Sequence, residues 1–444
     1  MNVLRFTDRA FADRVRELTS RSSLFDPAIE ERTGQILESV RTGGDVALVE
    51  LTRQFDGATL TIDQFAVTQA EFVAAALRAD DGLRDAVSSA RRNIERFSRK
   101  ALRRDWSTRN AQAGVVGEKF DPFQRVGIYV PGGTAPLIST ALMTITLAKV
   151  AGCPEIAVAT PGGPDGAINP ALLFAIRAAG ANEVYRLGGA QAIAALAHGT
   201  STIPRVQKIF GPGNAYVVAA KRLLFGHVAI DLLPGPSEVL VIADDTARAD
   251  WIAADLIAQA EHGSGHERVW LVTTSNPLLH AVQREIKRQL PARARRELIA
   301  TALANHGWLV QVRSLDDAAA LANTIAPEHC EIMTRHPADL ADKIVTAGAI
   351  FLGAWTPTVL GDYLAGPSHT LPTGGSGASF AGLTVDQFQR RTSLVQYTQT
   401  ALRNSVPVIR KFSELEGLDA HGHSAAIRLA PSPKSGKNKR KRLV

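Results

Sequence analysis

The spacing of apolar and polar positions divides the chain into three regions. Residues 1–100 are mostly helical in pattern, as in "AEFVAAALRADDGLRDAVSSARRNIERFSRKAL", where apolar residues recur at helical spacing with charged residues on the other face. From residue 124, short β-rich runs lead into glycine turns and then into Ala-rich helical sequence. From about residue 380 the pattern is helical again, and we expect no further strands there.

The middle region predicts the fold class. Four strand–turn–helix units begin "RVGIYVPGG", "EIAVATPGG", "EVYRLGGAQ" and "QKIFGPGN"; after "IDLLPGPSE" come the strands "VLVIAD", "RVWLVTT", "WLVQVRS", "HCEIMT" and "AIFLG". Strands that alternate with helices indicate parallel sheets covered by helices on both faces. We therefore predict an α/β protein with two Rossmann-like parallel-sheet domains, N-terminal helices and a helical C-terminal arm.

The predicted domains follow these changes of pattern. Residues 25–128 together with 237–380 form a larger α/β domain, and residues 129–236 form a second one. A helical segment, residues 1–24, precedes them, and a helical arm, residues 381–430, follows. The arm is too small to hold a core of its own, so we expect it to pack against another body.

The glycine turns do not match the usual dinucleotide fingerprint. None reads G-x-G-x-x-G, since "GPGNAY" has Tyr216 where the third glycine would be. The backbone amides of such turns, with the N-terminus of the following helix, still suit a phosphate group. The turns predict anion sites and are weak evidence for a dinucleotide.

Composition narrows the class of protein. A chain of 444 residues exceeds what one core usually organises, so more than one domain is expected. No apolar run approaches the ~18–20 residues that span a bilayer, and the charged N-terminus lacks the apolar region of a secretory signal. Two cysteines, Cys153 and Cys330, cannot form a disulfide framework. We expect a cytoplasmic protein without a membrane partner.

The formal net charge of +7 is concentrated at one end of the chain. The segment "SPKSGKNKRKRLV" holds six basic residues, and without them the net charge is +1. The basic character therefore belongs to a tail, residues 431–444, which we expect to be disordered. We predict no specific nucleic-acid partner.

Two pairs of side chains are candidates for chemistry. In "DDTARADWIAADLIAQAEHG" a helix is expected to begin near Asp245 or Thr246 and to end at Gly263, with Gln259 and His262 on one face of its last turn. This pair suits a metal, although a polar helix end that caps its own carbonyls would have the same sequence.

The second pair is in "APEHC", where Glu328 and His329 are adjacent. Within a strand they would face opposite sides, but at a strand's edge or in a loop both reach one pocket. There, a carboxylate and an imidazole could perform two separate proton transfers. A strand entrance whose polar residues face water is the structural alternative, and Cys330 is read as a small buried residue.

Two later segments add further polar groups. "LGDYLAGPSHTLPTGG" carries Asp362 and His369 in a loop after a parallel strand, where α/β proteins bind ligands. "EGLDAHGH" carries Glu416, His421 and His423, and a His-x-His pair can ligate a metal or lie in an exposed turn.

Together these stretches resemble the histidinol dehydrogenase family. Eight segments occur in the family's order up to about residue 430: "VGIYVPGGTAPLIST", "GGAQAIAALAHGT", "KIFGPGNAYV", "GPSEVLVIAD", "AQAEHG", "APEH", "GDYLAGPSHTLPTGG" and "EGLDAH". The resemblance implies a zinc enzyme that oxidises L-histidinol to L-histidine through L-histidinal, with reduction of two NAD⁺, as the last steps of histidine biosynthesis. It also implies an intertwined homodimer in which the C-terminal helices cross to the other subunit.

The resemblance further implies the site residues. The zinc ligands would be Gln259, His262, Asp362 and His421, and the catalytic pair would be Glu328 and His329. The substrate-binding positions would be Ser237, Gln259, His262, His329, Asp362, His369, Glu416 and His421. The positions that contact NAD⁺ would be Tyr129, Gln191 and Asn214.

Chemistry suggests a role for each member of the pair. His329, with an expected pKa near neutrality, would take the proton of the alcohol while hydride passes to NAD⁺. The aldehyde must be hydrated before it loses a second hydride, and Glu328 would activate that water. Two other functions share these features: a paralogous zinc- and NAD-dependent dehydrogenase of another small alcohol, and a zinc hydrolase without a dinucleotide.

Overall fold

The computed structural model describes residues 1–19, 26–132 and 136–430, and the predicted disordered tail lies outside the described residues. The strands are β1 (Asn2–Arg5), β2 (Trp106–Arg109), β3 (Val115–Pro122), β4 (Arg125–Tyr129), β5 (Glu155–Thr160), β6 (Glu183–Arg186), β7 (Lys208–Phe210), β8 (Ala229–Ile230), β9 (Glu238–Ala243), β10 (Arg268–Thr273), β11 (Gly307–Gln311), β12 (His329–Met333), β13 (Ala349–Leu352) and β14 (Gln389–Gln396). The α-helices are α1 (Phe11–Leu18), α2 (Pro27–Phe55), α3 (Gln69–Arg78), α4 (Asp81–Ala101), α5 (Ile138–Ala151), α6 (Pro170–Ala179), α7 (Gly189–His198), α8 (Ala215–Leu224), α9 (Ala249–Ala260), α10 (Asn276–Gln289), α11 (Arg296–His306), α12 (Leu315–Ile325), α13 (Pro337–Ala341), α14 (Val359–Tyr363), α15 (Gln399–Leu415) and α16 (Asp419–Ala426). Short 3-10 helices span Ile62–Gln64, Leu290–Ala292, Ser376–Ala378, Val385–Phe388 and Ile427–Leu429.

Two parallel sheets confirm the predicted fold class. The larger sheet has the strand order β1-β11-β10-β9-β12-β13, and every neighbouring pair in it is parallel. The smaller sheet has the order β6-β5-β4-β7-β8 and is also parallel throughout. All nine runs that were predicted to be strands form strands of these two sheets.

Both faces of the larger sheet are buried, which explains why its strands are apolar without alternation. In β9, Val239 and Val241 belong to one core cluster, with apolar residues of α9, α10 and α11. Leu240 and Ile242, which alternate with them, belong to a second cluster with residues of α1 and α12. The smaller sheet is covered in the same way, with Ile128 in one cluster and the neighbouring Tyr129 in another.

Five strands were not predicted, namely β1, β2, β3, β8 and β14, and two of them lie where a helix was expected. Asn2–Arg5, in a segment with a helical pattern, pairs with β11 at the edge of the larger sheet. Gln389–Gln396 is a mostly exposed strand in the arm that was expected to be helical. β1 has only four residues, which is too short to show a period. β14 is mostly exposed and shows no alternation of apolar residues. Only pairing with neighbouring strands defines these two strands.

The chain divides into two compact units. The first contains residues 1–102 and 122–388 and holds both parallel sheets. The second contains residues 103–121 and the described chain from 389 onward. It holds a three-stranded sheet of order β14-β3-β2, in which β2 and β3 are antiparallel, together with α15 and α16. Over the described residues, no helix combines the length and the apolar character needed to cross a membrane.

Candidate active site

Glu328 and His329 lie at the amino end of β12, at the entrance to the larger sheet. His329 is the first residue of the strand and pairs with Val239 of β9, while Glu328 directly precedes the strand. Both side chains are buried, with 5% and 3% of their surface exposed. Because Glu328 stands just outside the ladder, its Oε2 lies 3.6 Å from Nδ1 of His329. The two side chains therefore lie next to each other at the end of the strand. Because both are buried, the alternative that they face water at the start of a strand is excluded.

The backbone of Glu238 holds both of these side chains. Its N–H donates to Oε2 of Glu328 at 2.8 Å, and its carbonyl oxygen lies 2.9 Å from Nδ1 of His329. Since a carbonyl only accepts, Nδ1 carries the hydrogen and Nε2 has a free lone pair. That Nε2 faces Oδ1 of Asp362 at 3.9 Å. Two acceptors that face each other favour a hydrogen donor or a cation between them.

Burial determines the protonation of the pair. Desolvation lowers the pKa of His329 to about 4, an effect that the Asp362 carboxylate opposes. Desolvation raises the pKa of Glu328 well above its usual value, with further increases from the carboxylates of Glu238 and Asp362, while the Ser237 hydroxyl opposes this by a hydrogen bond. The imidazole of His329 is therefore neutral at physiological pH. Its pKa lies well below the near-neutral value that we expected from the sequence. The carboxyl group of Glu328, by contrast, tends to hold its proton.

Asp362 and His369, from a later part of the chain, also lie near His329. Nδ1 of His369 donates to the backbone oxygen of Asp362 at 3.0 Å, and Nε2 accepts from the hydroxyl of Thr140 at 3.2 Å. The chain leaves β13 at its carboxyl end, but α14 and the following loop return to the amino end of β12, where Asp362 faces His329. Asp362 therefore lies in a short helix and not in the expected loop, whereas His369 does lie in a loop after the strand.

Gln259 lies in the last turn of α9 and His262 lies just after it, near enough for its charge to affect His329 and His369. The helix begins at Ala249, later than expected, because the Asp244 side chain accepts hydrogen bonds from Thr246 in a separate turn. It ends before His262, whose Nδ1 donates to the Gln259 carbonyl at 2.9 Å. Nδ1 of His262 therefore caps a carbonyl of its own helix, as in the alternative interpretation of the sequence. Nε2 of the same ring keeps a free lone pair.

Three predicted site residues carry donor atoms of the kind that bind a metal. The Gln259 side chain is 3% exposed, and its amide nitrogen has no hydrogen-bond partner, which is unusual for a buried polar atom. Nitrogen and oxygen donors from Gln259, His262 and Asp362 suit zinc in an exchangeable site. Within residues 1–19, 26–132 and 136–430 of this single chain, however, no three His, Cys, Asp or Glu side chains gather closely enough to hold a metal.

The last two predicted site residues belong to the second unit. Glu416 is the C-cap of α15, and His421 lies in α16, with His423 two residues further on. All three side chains are exposed. Among the described residues of this unit, no hydrogen bond joins these side chains to one another.

The three predicted cofactor positions line one cavity of about 1150 Å³. Tyr129, Gln191 and Asn214 lie at or just after the carboxyl ends of β4, β6 and β7, and His262 lines the same space. β4 is the strand at which the sheet order reverses, with β5 on one side and β7 on the other. Ligands of open parallel sheets bind at this switch point. The cavity therefore extends from a ligand-binding edge of the smaller sheet to His262.

The helix starts around this cavity are already capped by the protein. The Asp56 carboxylate accepts from the backbone N–H of Gly188 at 3.3 Å and from Nε2 of Gln191 at 3.5 Å, at the start of α7. The next amide, of Gly189, donates to the Tyr129 hydroxyl at 3.1 Å, and Asn214 caps α8 with its own side chain. At α7 and α8, side chains therefore already accept part of the N–H groups that the sequence would offer to an anion.

Two groups of this site were missed in the sequence. Glu238 follows the predicted Ser237 and is an acidic residue at the first position of a fully buried strand, which was a usable signal. Asp56 ends a helix far away in the chain and gave no local signal. Only the packing of α2 against α7 brings it to the cavity.

Known proteins resemble this chain over almost its whole length. The family model described as histidinol dehydrogenase matches residues 19–429. A histidinol dehydrogenase of Heliobacterium mobile is 44% identical over 409 residues, covering 92% of this chain and 96% of that protein. One of Bradyrhizobium diazoefficiens is 46% identical over 401 residues, covering 90% of this chain and 93% of that protein.

A solved structure agrees with these sequences. The crystal structure of histidinol dehydrogenase from Elizabethkingia anophelis superposes with a TM-score of 0.92 at 35% identity, covering 97% of this chain and 98% of that one. This degree of likeness, in sequence and in fold together, exceeds what a shared architecture alone produces. The chain belongs to the histidinol dehydrogenase family and is an oxidoreductase.

Proposed function

We propose that this chain oxidises L-histidinol to L-histidine through L-histidinal, with two NAD⁺ reduced, and that it completes histidine biosynthesis. The observation that carries the proposal is the buried pair Glu328 and His329. Their side chains meet at the end of one strand, and the free Nε2 of His329 points toward Asp362. Two oxidations at one carbon require two proton acceptors at one place, and this pair provides them.

The first oxidation would use the neutral imidazole. The O–H proton of the alcohol passes to Nε2 of His329 while the hydride on the same carbon passes to NAD⁺, which yields the aldehyde. The Nδ1–H bond to the Glu238 carbonyl keeps the ring in the tautomer that has Nε2 free. Burial, which lowers the pKa of His329 to about 4, ensures that this nitrogen is unprotonated before each cycle.

The second oxidation would use Glu328. Water adds to the aldehyde, and Glu328 takes a proton from the hydrate as the second hydride leaves. Because the pKa of Glu328 is raised by burial and by two neighbouring carboxylates, it must first release its own proton. We therefore expect the rate of histidinal oxidation to rise with pH as Glu328 loses its proton. Glu328→Gln should mainly impair oxidation of supplied histidinal, by ~10²–10⁴-fold; a normal rate there would refute this assignment.

Zinc would be held by Gln259, His262 and Asp362 together with His421. The support in one chain is the unpartnered buried amide of Gln259, the free Nε2 of His262, and the two facing acceptors of His329 and Asp362. When bound, the metal would orient the imidazole and amine of the substrate and polarise the reacting oxygen. Ser237 and His369, which hydrogen-bond Glu328 and the Asp362 backbone, would border the substrate.

NAD⁺ would occupy the cavity at the switch point of the smaller sheet. Tyr129, Gln191 and Asn214 line it, and its volume of about 1150 Å³ exceeds the ~300–1,000 Å³ typical of small-ligand pockets. Since His262 lines the same cavity, a dinucleotide there would extend toward the proposed zinc ligands.

We infer a homodimer in which the second unit of each chain completes the other chain's site with Glu416 and His421. Large apolar side chains at Val408, Phe412, Leu415 and Leu418 are exposed in the second unit, which supports burial against another body. Mixing an inactive His329→Asn protein with an inactive His421→Asn protein, after subunit exchange, should restore activity, since one site per mixed dimer is intact. Mixtures that stay inactive although exchange is verified would refute shared sites.

The cytoplasm is the expected location, in keeping with two free, buried cysteines, Cys153 and Cys330. The decisive test of the function is the amount of NADH formed per molecule of limiting L-histidinol, with excess NAD⁺, before and after treatment with a chelator. Two NADH per substrate, lost on chelation and restored by zinc, is the expected result. One NADH, or activity only with another alcohol, would favour a paralogous dehydrogenase; none from zinc-loaded protein would favour a hydrolase.

A further inference from the structure

A buried ion pair adjoins the turn that leads into the cofactor cavity, and it has no part in the proposed mechanism. Lys221 of α8 pairs with Asp231, which directly follows β8, and neither side chain exposes any surface. Neither residue lines the cavity. Apolar residues of similar volume are often as stabilising as a buried ion pair, so stability alone does not explain this one.

The polar atoms of the pair all have partners, and most of these partners are backbone groups. The ammonium of Lys221 donates to the Asp231 carboxylate, to the Gly211 carbonyl at 2.9 Å and to the Leu232 carbonyl at 2.8 Å. These three acceptors match the three N–H groups of an ammonium. The second carboxylate oxygen of Asp231 accepts from the backbone N–H of Gly211 at 2.8 Å. The pair therefore holds both the N–H and the carbonyl of one glycine.

That glycine begins the turn, residues 211–214, which connects β7 to α8. Its φ of +111° is a conformation that residues with a side chain rarely adopt. A Cβ on Gly211 would lie 2.1 Å from the carbonyl oxygen of Tyr129, so the turn packs directly against the end of β4. At its other end the turn carries Asn214, the N-cap of α8. Two of the three predicted cofactor positions, Tyr129 and Asn214, thus flank the turn that the ion pair holds.

The Leu232 carbonyl connects the ion pair to the candidate active site. Leu232 begins the segment that runs from the last strand of the smaller sheet to Glu238, the first residue of β9 in the larger sheet. The backbone of Glu238 holds the side chains of Glu328 and His329. Lys221 therefore joins the turn beside the cofactor cavity to the start of the segment that leads to this pair.

We propose that Lys221 and Asp231 are positioning residues for NAD⁺: their ion pair fixes the turn 211–214, so that Tyr129 and Asn214 keep the geometry that receives the dinucleotide. The ion pair acts through these residues and does not itself touch the cofactor. The proposal rests on the proposed function for the identity of the ligand. Apolar residues could fill the same space, but they could not hold two carbonyls and an N–H group of the backbone, and an unfixed turn would have to be ordered when the cofactor binds.

Removal of the ammonium tests this positioning. Lys221→Met keeps an unbranched side chain and removes all three donors. KM for NAD⁺, measured at saturating L-histidinol, should rise by about tenfold, the cost of one weakened hydrogen bond to the cofactor, with kcat little changed.

A second variant separates positioning from stability. Lys221→Met leaves the buried Asp231 carboxylate without its cation, so it also lowers the melting temperature. The double variant Lys221→Met/Asp231→Asn removes that stranded charge. Its melting temperature should recover in part, whereas its KM for NAD⁺ should stay raised, because no ammonium joins the two carbonyls. A double variant with the wild-type KM for NAD⁺ would overturn the proposal.

Arg125→Met is the matched control. Arg125 pairs with Glu155 and Glu183 at the amino ends of β4, β5 and β6, the edge of the smaller sheet opposite the cavity. This variant should also lower the melting temperature but should leave KM for NAD⁺ within about twofold of wild type, because distant sites act independently. An equal rise of KM in Arg125→Met would overturn positioning, since a general loss of stability would then explain both results.

Saturation-transfer NMR with NAD⁺ distinguishes failure of this proposal from failure of the proposed function. Transfer to NAD⁺ in wild type that requires a higher NAD⁺ concentration in the double variant is the expected result. The same concentration dependence in both proteins would overturn positioning alone. Absence of transfer in wild type would refute NAD⁺ as the cofactor, and with it the positioning of NAD⁺.

Discussion

His329→Asn separates the two contacts of the catalytic imidazole. In the native chain Nδ1–H donates to the Glu238 carbonyl at 2.9 Å, while Nε2 is free and faces Asp362. An asparagine carries its amide nitrogen close to the position of Nδ1, so it can keep the hydrogen bond to Glu238. It has no atom at the position of Nε2. The substitution thus removes the proton acceptor while it preserves the local packing.

The expected loss in kcat for L-histidinol is ~10²–10⁴-fold, the usual contribution of a general base. This corresponds to about 2.7–5.4 kcal/mol on the activation barrier. Because the backbone hydrogen bond is kept, the free energy of unfolding at pH 7 should otherwise change by only about 1 kcal/mol from the smaller side chain. NADH absorbance at saturating histidinol and NAD⁺ measures kcat, and chemical denaturation measures stability.

The same variant tests the burial of the imidazole. The pKa of His329 is about 4 when folded, below the unfolded value of 6.5. The unfolded chain therefore binds this proton first as pH falls, and stability that is present above pH 6.5 is lost toward pH 4. The full effect is about 3 kcal/mol, at about 1.4 kcal/mol for each pKa unit. The difference in unfolding free energy between metal-free wild type and His329→Asn should shift by up to that amount between pH 7 and pH 4.

Two results would refute this reasoning. A His329→Asn enzyme that retains more than a tenth of the wild-type kcat would place the base elsewhere. An inactive variant that has also lost several kcal/mol of stability at pH 7 would point to a structural defect. His329→Gln is the matched control: its longer amide reaches toward Nε2 but leaves the Glu238 carbonyl without a donor, so it should be both inactive and less stable.

Three further predictions concern the cofactor cavity, the core and the tail. Asp56→Ala leaves the side-chain amide of Gln191 without its acceptor. The loss of about 1.4 kcal/mol of hydrogen bonding should raise KM for NAD⁺ by about tenfold in steady-state assays, with kcat little changed. Lys221→Met leaves the fully buried Asp231 carboxylate without its cation, and the free energy of unfolding measured by chemical denaturation should fall by about 3–5 kcal/mol. The double variant with Asp231→Asn should recover part of this loss, and an unchanged stability of Lys221→Met would contradict the prediction. Deletion of residues 431–444 should leave turnover of histidinol unchanged, because the basic tail lies outside every predicted site; a large loss would assign it a function.

Much of the fold followed from patterns that are local in the chain. Runs such as "VLVIAD" and "RVWLVTT" are apolar at every position because both faces of a parallel sheet are buried, and each run is long enough to show this. β1 and β14 escaped prediction because an edge strand is defined by its partner, which in the case of β1 is β11, about 300 positions away in the chain.

The sequence by itself determined which side chains are available for chemistry, because residue types and their order are local facts. It singled out Glu328 and His329 as a candidate pair, and the resemblance to the family added Gln191, before any geometry was considered. Only the tertiary structure decided how they behave. The tautomer of His329 depends on a carbonyl of another strand, and the protonation of Glu328 depends on burial and on neighbouring charges. Such properties arise from contacts between distant parts of the chain, and a linear pattern carries no record of those contacts.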